Sequence, residues 1–176
     1  MLYDTERGAT KYIKTNQANA EGNDSNTLTS FNNNGFSLGN DTGSNDSGTF
    51  SSWTFRKAPG FFDIVTYTGN GSNRTISHNL GSVPGMIMLK NLDAGDHWVV
   101  YHRGNADSNN AANYSLRLNT TAAKANWFNY FQDTLPTATE FTLGDDSDSN
   151  GNGENFIAYL FAGGESTAAT ARSVDF

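Results

Sequence analysis

The sequence predicts an all-β fold, an antiparallel β-sandwich or jelly roll built from an imperfect internal repeat. Three observations predict it. Thr, Tyr, Phe and Trp are plentiful, while the helix formers Glu, Lys, Leu and Gln are scarce. The stretches between apolar segments are rich in Asn, Ser, Gly and Asp, the residues of tight turns. The same order of short apolar segments occurs twice along the 176 residues.

The elements follow in order. Phe62 to Thr68 is β-branched and aromatic, Gly69-Asn70-Gly71 is a turn, and Arg74 to His78 resumes an alternating pattern, so the segment reads as a β-hairpin. Asn79-Leu80-Gly81 is a second turn. Met86 to Lys90 is apolar on both faces, as expected of a central strand. Asn91 to Asp96 turns the chain, and His97 to His102 is the next strand. Tyr114 to Leu118, Glu140 to Leu143 and Phe156 to Phe161 complete the set, the last almost wholly apolar. No segment holds a 3.6-residue apolar period over three turns. Ala162 to Ser173 is small and polar and reads as a linker.

The repeat is carried by several matches. Gly35-Phe36-Ser37-Leu38-Gly39 corresponds to Glu140-Phe141-Thr142-Leu143-Gly144, and each is followed by a polar loop. Phe50 to Phe55 corresponds to Phe156 to Phe161. Leu2-Tyr3-Asp4 corresponds to Val100-Tyr101-His102, Tyr12-Ile13 to Ser115-Leu116, and Leu28 to Leu135. The first copy has no counterpart of Pro84 to Val99, which predicts that the chain starts inside a repeat. The expected organisation is a partial first copy at 1–59, a complete second copy at 60–162 packed with it as one compact unit, and a linker at 163–176. Phe36/Leu38 and Phe141/Leu143, and Trp53/Phe55 and Tyr159/Phe161, are expected as equivalent core positions. The two copies are expected to share one sheet, which covers the edge left by the missing strand.

Composition narrows the function. Lys and Arg number 11 against 18 Asp and Glu, a net charge of −7, which opposes phosphate-rich nucleic acid. No apolar run approaches the roughly 18 residues of a membrane span. Cys is absent, which excludes thiolate metal sites and cysteine nucleophiles.

Candidate chemistry is sparse. His78, His97 and His102 accompany no G-x-S-x-G or H-E-x-x-H motif, and His97 and His102 are expected on opposite faces of one strand. Structural roles are expected for all three. Asp145, Asp146, Asp148 and Glu154 form the one dense acidic cluster, in a loop unsuited to raising a general acid's pKa. Asp146, Asp148 and Asn150 match the first half of a calcium loop, D-x-D-x-N-G. The twelfth position is Ile157 rather than Glu, so a solvated loop is expected and no metal. Trp53 and Trp98 lie in apolar segments and are expected in the core. Trp127 to Phe131 holds four aromatics among polar neighbours and is the best candidate for an exposed patch, with core packing as the alternative.

Longer stretches resemble a known family. Asp4 to Lys11, Leu28 to Phe31, Asn34 to Gly39 and Trp53 to Ala58 are similar to a repeat found in virion proteins of marine bacteriophages. Phe61 to Gly69 and Ile76 to Gly85 resemble the next unit of such arrays, which often sit beside laminin-G or concanavalin-like lectin domains. Arg172 to Phe176 resembles the lead-in to a lectin module. The resemblance implies a non-enzymatic structural or adhesion module of a phage virion appendage, a tail fibre or adhesin. Its implied partners are other virion proteins, copies of itself or host surface glycan, with no cofactor and no catalytic or ligand-binding residue carried over. A capsid decoration or head-fibre protein, and a polysaccharide-degrading tailspike enzyme, are the alternatives.

Overall fold

The computed structural model describes residues 1–106 and 110–164. The first copy contributes four short strands, β1 (Lys11–Tyr12), β2 (Gly22–Asn23), β3 (Leu28–Asn32) and β4 (Gly35–Leu38). The second contributes β5 (Phe62–Thr68), β6 (Arg74–Ser77), β7 (Pro84–Asn91), β8 (Val99–His102), β9 (Tyr114–Arg117), β10 (Ala125–Asn126), β11 (Glu140–Leu143) and β12 (Asn155–Ala162). Two single-turn helices, α1 (Phe128–Phe131) and α2 (Ser147–Asn150), lie in its second half. The fold is predominantly β and consistent with an all-β sandwich.

The centre is a six-stranded antiparallel sheet in the order β10-β9-β8-β7-β12-β5. β12 pairs along its length with β5, from Asn155↔Thr68 to Phe161↔Phe62, and on its other side with β7. Side chains alternate across a strand, so a central strand needs apolar residues at every position. Ala158 and Leu160 join Ile87, Leu89, Val99 and Tyr101 in one core cluster. Ile157 and Tyr159 join Phe62, Ile64 and Trp98 in another. Each such side chain, fully buried, contributes about 1.5–3 kcal/mol.

The two faces are covered differently. The β6–β11 ribbon and α1 cover the first through Ile76, Phe141, Leu143, Tyr130 and Phe131. The first copy covers the second: Ile13 is fully buried there and Leu2 packs beside it. The Trp98 indole donates to the Lys14 carbonyl at 3.0 Å. Deeper, Tyr159 donates to Asp4 Oδ2 at 2.6 Å, and Arg7 holds the same oxygen at 2.6 Å while reaching Glu21 at 3.3 Å. The Asp4 and Arg7 side chains are almost wholly buried, and burial pushes the Tyr159 hydroxyl's pKa far above its usual range.

The repeat is visible in the pairing register. Lys11↔Asn23 and Tyr12↔Gly22 match Tyr114↔Asn126 and Ser115↔Ala125 at a constant offset. The isolated bridge Leu2↔Ile13 matches Val100↔Leu116. Gly39 and Gly144 donate to the Thr27 and Tyr130 carbonyls at 2.7 and 3.2 Å. A Cβ on either glycine would collide with the backbone of Asn26 or Asn129 respectively, which fixes both as glycine.

Five expectations are corrected. Phe62 to His78 is not a β-hairpin: β5 pairs with β12 and β6 with β11, in separate sheets, because Asn150 holds the intervening turn between them. The copies do not share a sheet: β1–β2 and β3–β4 are separate two-stranded ribbons. The Thr27 and Tyr130 equivalence pairs Leu28 with Phe131, both buried, and not with the exposed Leu135. Phe36 is exposed where Phe141 is buried, because nothing in the first copy covers it as β6 and Tyr67 cover Phe141. Trp53 and Phe55 are exposed and belong to no strand, whereas Tyr159 and Phe161 lie in β12. An apolar segment becomes a strand only where strands exist to pair with it, and counterparts of β5 and β7 are missing beside residues 50–57. The expected linker falls, from residue 165 onward, outside the described residues, as does the lectin-like Arg172 to Phe176.

Asp4→Ala removes the acceptor shared by Arg7 and Tyr159. Breaking a buried ion pair from one side costs about 3–5 kcal/mol. Urea unfolding is expected to show a loss of that order. A loss within the few tenths typical of a surface change would contradict the network's role in joining the copies.

Candidate interaction surface

The histidines serve local structure. His102 Nδ1 accepts from Gly104 N at 3.1 Å, and His78 Nδ1 accepts from Leu80 N at 3.3 Å, each closing a turn. Burial pulls the His78 pKa below the usual imidazole range. His97 precedes β8 rather than lying in it, and its Nδ1 sits 3.1 Å from the Asn119 amide. No two of them share a site or face a carboxylate in a catalytic arrangement among the described contacts.

The acidic loop is an internal brace. Asp146 caps α2 by accepting from Asp148 N at 2.9 Å. Contrary to the expectation that this loop is unsuited to raising a carboxyl pKa, burial raises that of Asp146, because the loop packs against the fold rather than lying in solvent. Asp148 Oδ2 accepts from the Tyr130 hydroxyl at 3.0 Å and lies 3.7 Å from Arg117. Burial pushes the Tyr130 pKa to about 12. The Asn150 side-chain oxygen accepts from Asn70 N at 3.1 Å. The oxygens that a calcium loop would turn inward are thus spent on neighbouring strands and turns. Among the described residues, no three His, Asp or Glu side chains gather as a metal site.

Lys90 is the buried cation of the second copy. Its Nζ donates to the Asn91 and Ala94 carbonyls at 2.7 and 3.2 Å, and burial lowers its pKa to about 8. It ties the β7–β8 turn. An open cleft between the copies is lined by Lys11, Glu21, Thr66, Asp93 and Asn155. Its charged groups are mutually engaged: Lys11 lies 3.0 Å from Glu21, and Asn155 donates to Asp93 at 2.7 Å.

The Trp127 to Phe131 segment divides. Tyr130 and Phe131 belong to the core, Arg117 stacks 4.5 Å over the half-buried Trp127 ring, and only Phe128 is well exposed among its aromatics. The apolar surface lies instead on the first copy. Phe31 and Phe36 face each other across β3 and β4, and both are more than a third exposed. Phe50 and Phe55 are half exposed, and Trp53 is 87% exposed. Phe55 keeps one edge on the sheet, 5.7 Å from the Phe161 ring. Sequence reasoning placed Phe36, Trp53 and Phe55 inside, because type and order matched buried residues of the second copy. The signal that could have exposed them is the absence from the first copy of a segment like Phe62 to His78.

Residues 1–169 match the model of a domain of unknown function, DUF7483. The chain belongs to this family. No curated protein and no solved structure matches the chain. No helix among the described residues is long and apolar enough to cross a membrane.

Two outcomes follow for this DUF7483 chain. Calorimetric titration with calcium is expected to show no binding tighter than about millimolar, the range of weak extracellular sites. A calcium-dependent rise in melting temperature would contradict the bracing role of Asp146, Asp148 and Asn150. Limited chymotrypsin digestion is expected to cut first after Phe50, Trp53 or Phe55, in exposed chain outside any strand. First cuts between residues 60 and 164 would show that this segment is protected.

Proposed function

We propose that the chain is a non-enzymatic structural module of a phage virion appendage, a tail fibre or adhesin, working through contacts with other virion proteins or copies of itself. The observation that carries this reading is the repeated register of the two copies, combined with five exposed aromatics on the first, Phe31, Phe36, Phe50, Trp53 and Phe55, against Phe128 on the second. A repeat unit with an unfilled apolar face suits an array in which neighbouring units complete one another. Among the described residues His78 and His102 close turns, and Asp146, Asp148 and Glu154 accept hydrogen bonds within the fold, which favours this reading over a tailspike hydrolase. Low charge and an amide- and hydroxyl-rich surface suit a particle exterior. Trp53 also offers an aromatic face on which a host sugar ring can stack.

Immunogold electron microscopy of purified particles, with antibody against this chain, tests the reading. Label on tail appendages is expected. Label on the head would replace it with the capsid-decoration or head-fibre alternative. Depolymerisation of host capsule or lipopolysaccharide by the purified chain would replace it with the enzyme.

A further inference from the structure

We infer that the β4 edge of the first copy and the loop after Gly39 are a preformed acceptor for a strand–turn–strand segment like β5–β6, whose strands enter two different sheets, supplied by a separate repeat unit. The inference stands on the geometry of the two copies and does not depend on the virion reading.

The second copy displays the occupied form. Its β5–β6 turn is clamped by the loop between Gly144 and Gly151. Asn150 Nδ2 donates to the Gly144 and Ser72 carbonyls at 2.7 and 2.8 Å and to Asn70 Oδ1 at 3.2 Å. Gly71 N donates to the Asn150 carbonyl at 2.8 Å, and the Tyr67 hydroxyl donates to the Ser149 carbonyl at 2.7 Å. A Cβ on Gly69 would collide with the Gly151 carbonyl, so turn and loop meet backbone to backbone. The β5–β6 segment also covers two rings: Tyr67 stacks on Phe156 at 5.2 Å and meets Phe141 edge-on at 6.4 Å.

The first copy builds the same clamp with nothing in it. Ser44 and Asn45 donate to the Asp41 carbonyl at 3.2 and 2.8 Å, as Ser149 and Asn150 donate to Asp146 at 3.2 and 2.8 Å. Asn45 Nδ2 donates to the Gly39 carbonyl at 2.6 Å, the counterpart of Asn150 on Gly144. Asn150 is fully buried, whereas Asn45 is exposed. The counterparts of the two covered rings, Phe36 and Phe50, are exposed as well.

The strand edges agree. Alternate residues of a strand direct their backbone groups to opposite edges. His78 N donates to the Thr139 carbonyl, so Thr139, Phe141 and Leu143 face β6. Gly144 N points the other way, to Tyr130, and Gly39 N likewise points to Thr27, the side on which β3 lies. Phe36 and Leu38 therefore turn their backbone groups to the edge that β6 fills in the second copy. Among the described residues no strand pairs with β4 there. An open edge beside an exposed ring and a formed turn-clamp fits a strand that pairs as β6 does, joined to a second strand by a glycine-rich turn.

The test adds a synthetic peptide of residues 60–80, closed by an added terminal disulfide, to the full chain and follows binding by calorimetry. Saturable one-to-one binding is expected. Phe36→Asp, at an exposed position, is expected to abolish it, and Asn45→Ala to weaken it about tenfold, the scale of a lost hydrogen bond. The peptide carrying Gly69→Val is expected not to bind. Circular dichroism and melting of each variant confirm that the chain remains folded. No saturation up to about 1 mM peptide, or binding that ignores both substitutions, would overturn the inference. Dimerisation of the chain alone, abolished by Phe36→Asp, would overturn the choice of occupant, because a second copy would then fill the site.

Discussion

β12 is apolar on both faces, and a sheet with such a strand near its centre must be covered twice. Ile157 and Tyr159 require one cover; Ala158 and Leu160 require another. The second copy can fold only one layer back over its own sheet, the β6–β11 ribbon with α1. The other face would lie open without Ile13 and Leu2. The dependence is mutual, since two-stranded ribbons such as β1–β2 and β3–β4 are marginal on their own. The first copy takes its stability from the sheet it covers.

That arrangement places polar groups in the interior, and the structure answers each with fixed partners. Asp4, Arg7 and Tyr159 meet where the first copy crosses the sheet, and their hydrogen bonds hold the two layers in one register. Lys90 and Asn91 sit at the end of a central strand and spend their donors on the following turn. Asn91 Nδ2 reaches Asp96 and Glu154 at 2.7 and 2.8 Å, so the same amide fastens the start of β12 to the β7–β8 turn. In a chain with so few charges, several are used to build turns rather than to solvate the surface.

The second copy was largely legible in the sequence. Phe156 to Phe161 and Met86 to Leu89 read as central strands because every position is apolar. The Gly69-Asn70-Gly71 turn is where the sequence places it, but its two strands enter different sheets rather than pairing as a hairpin; Trp98 lies in the core as its apolar setting implied. These signals are local or depend on burial within one repeat. Trp53 was not legible for the opposite reason: its neighbours match a buried strand, but burial depends on partners elsewhere in space. The Asp4–Arg7–Tyr159 contact joins groups at the two ends of the chain, and no spacing marks it. α1 and α2, one turn each, are too short to give a helical period.

The two copies separate what a sequence encodes locally from what packing imposes. The Gly39 and Gly144 loops reach the same hydrogen bonds, although one is solvated and the other is sealed beneath the β5–β6 turn. Their shape therefore comes from the residues themselves: a glycine that lets two backbones meet, an Asp that closes one turn, and an Asn that reaches back to the glycine carbonyl. Burial differs at nearly every equivalent aromatic, and residue type does not account for it, since Phe36 and Phe141 are the same residue in the same place in the same kind of strand. What differs is the neighbouring strand. A loop that holds its shape without its partner loses little further entropy on meeting one, and preorganisation of this kind favours association. The features that set the first copy apart thus describe a surface shaped ahead of contact rather than a damaged core.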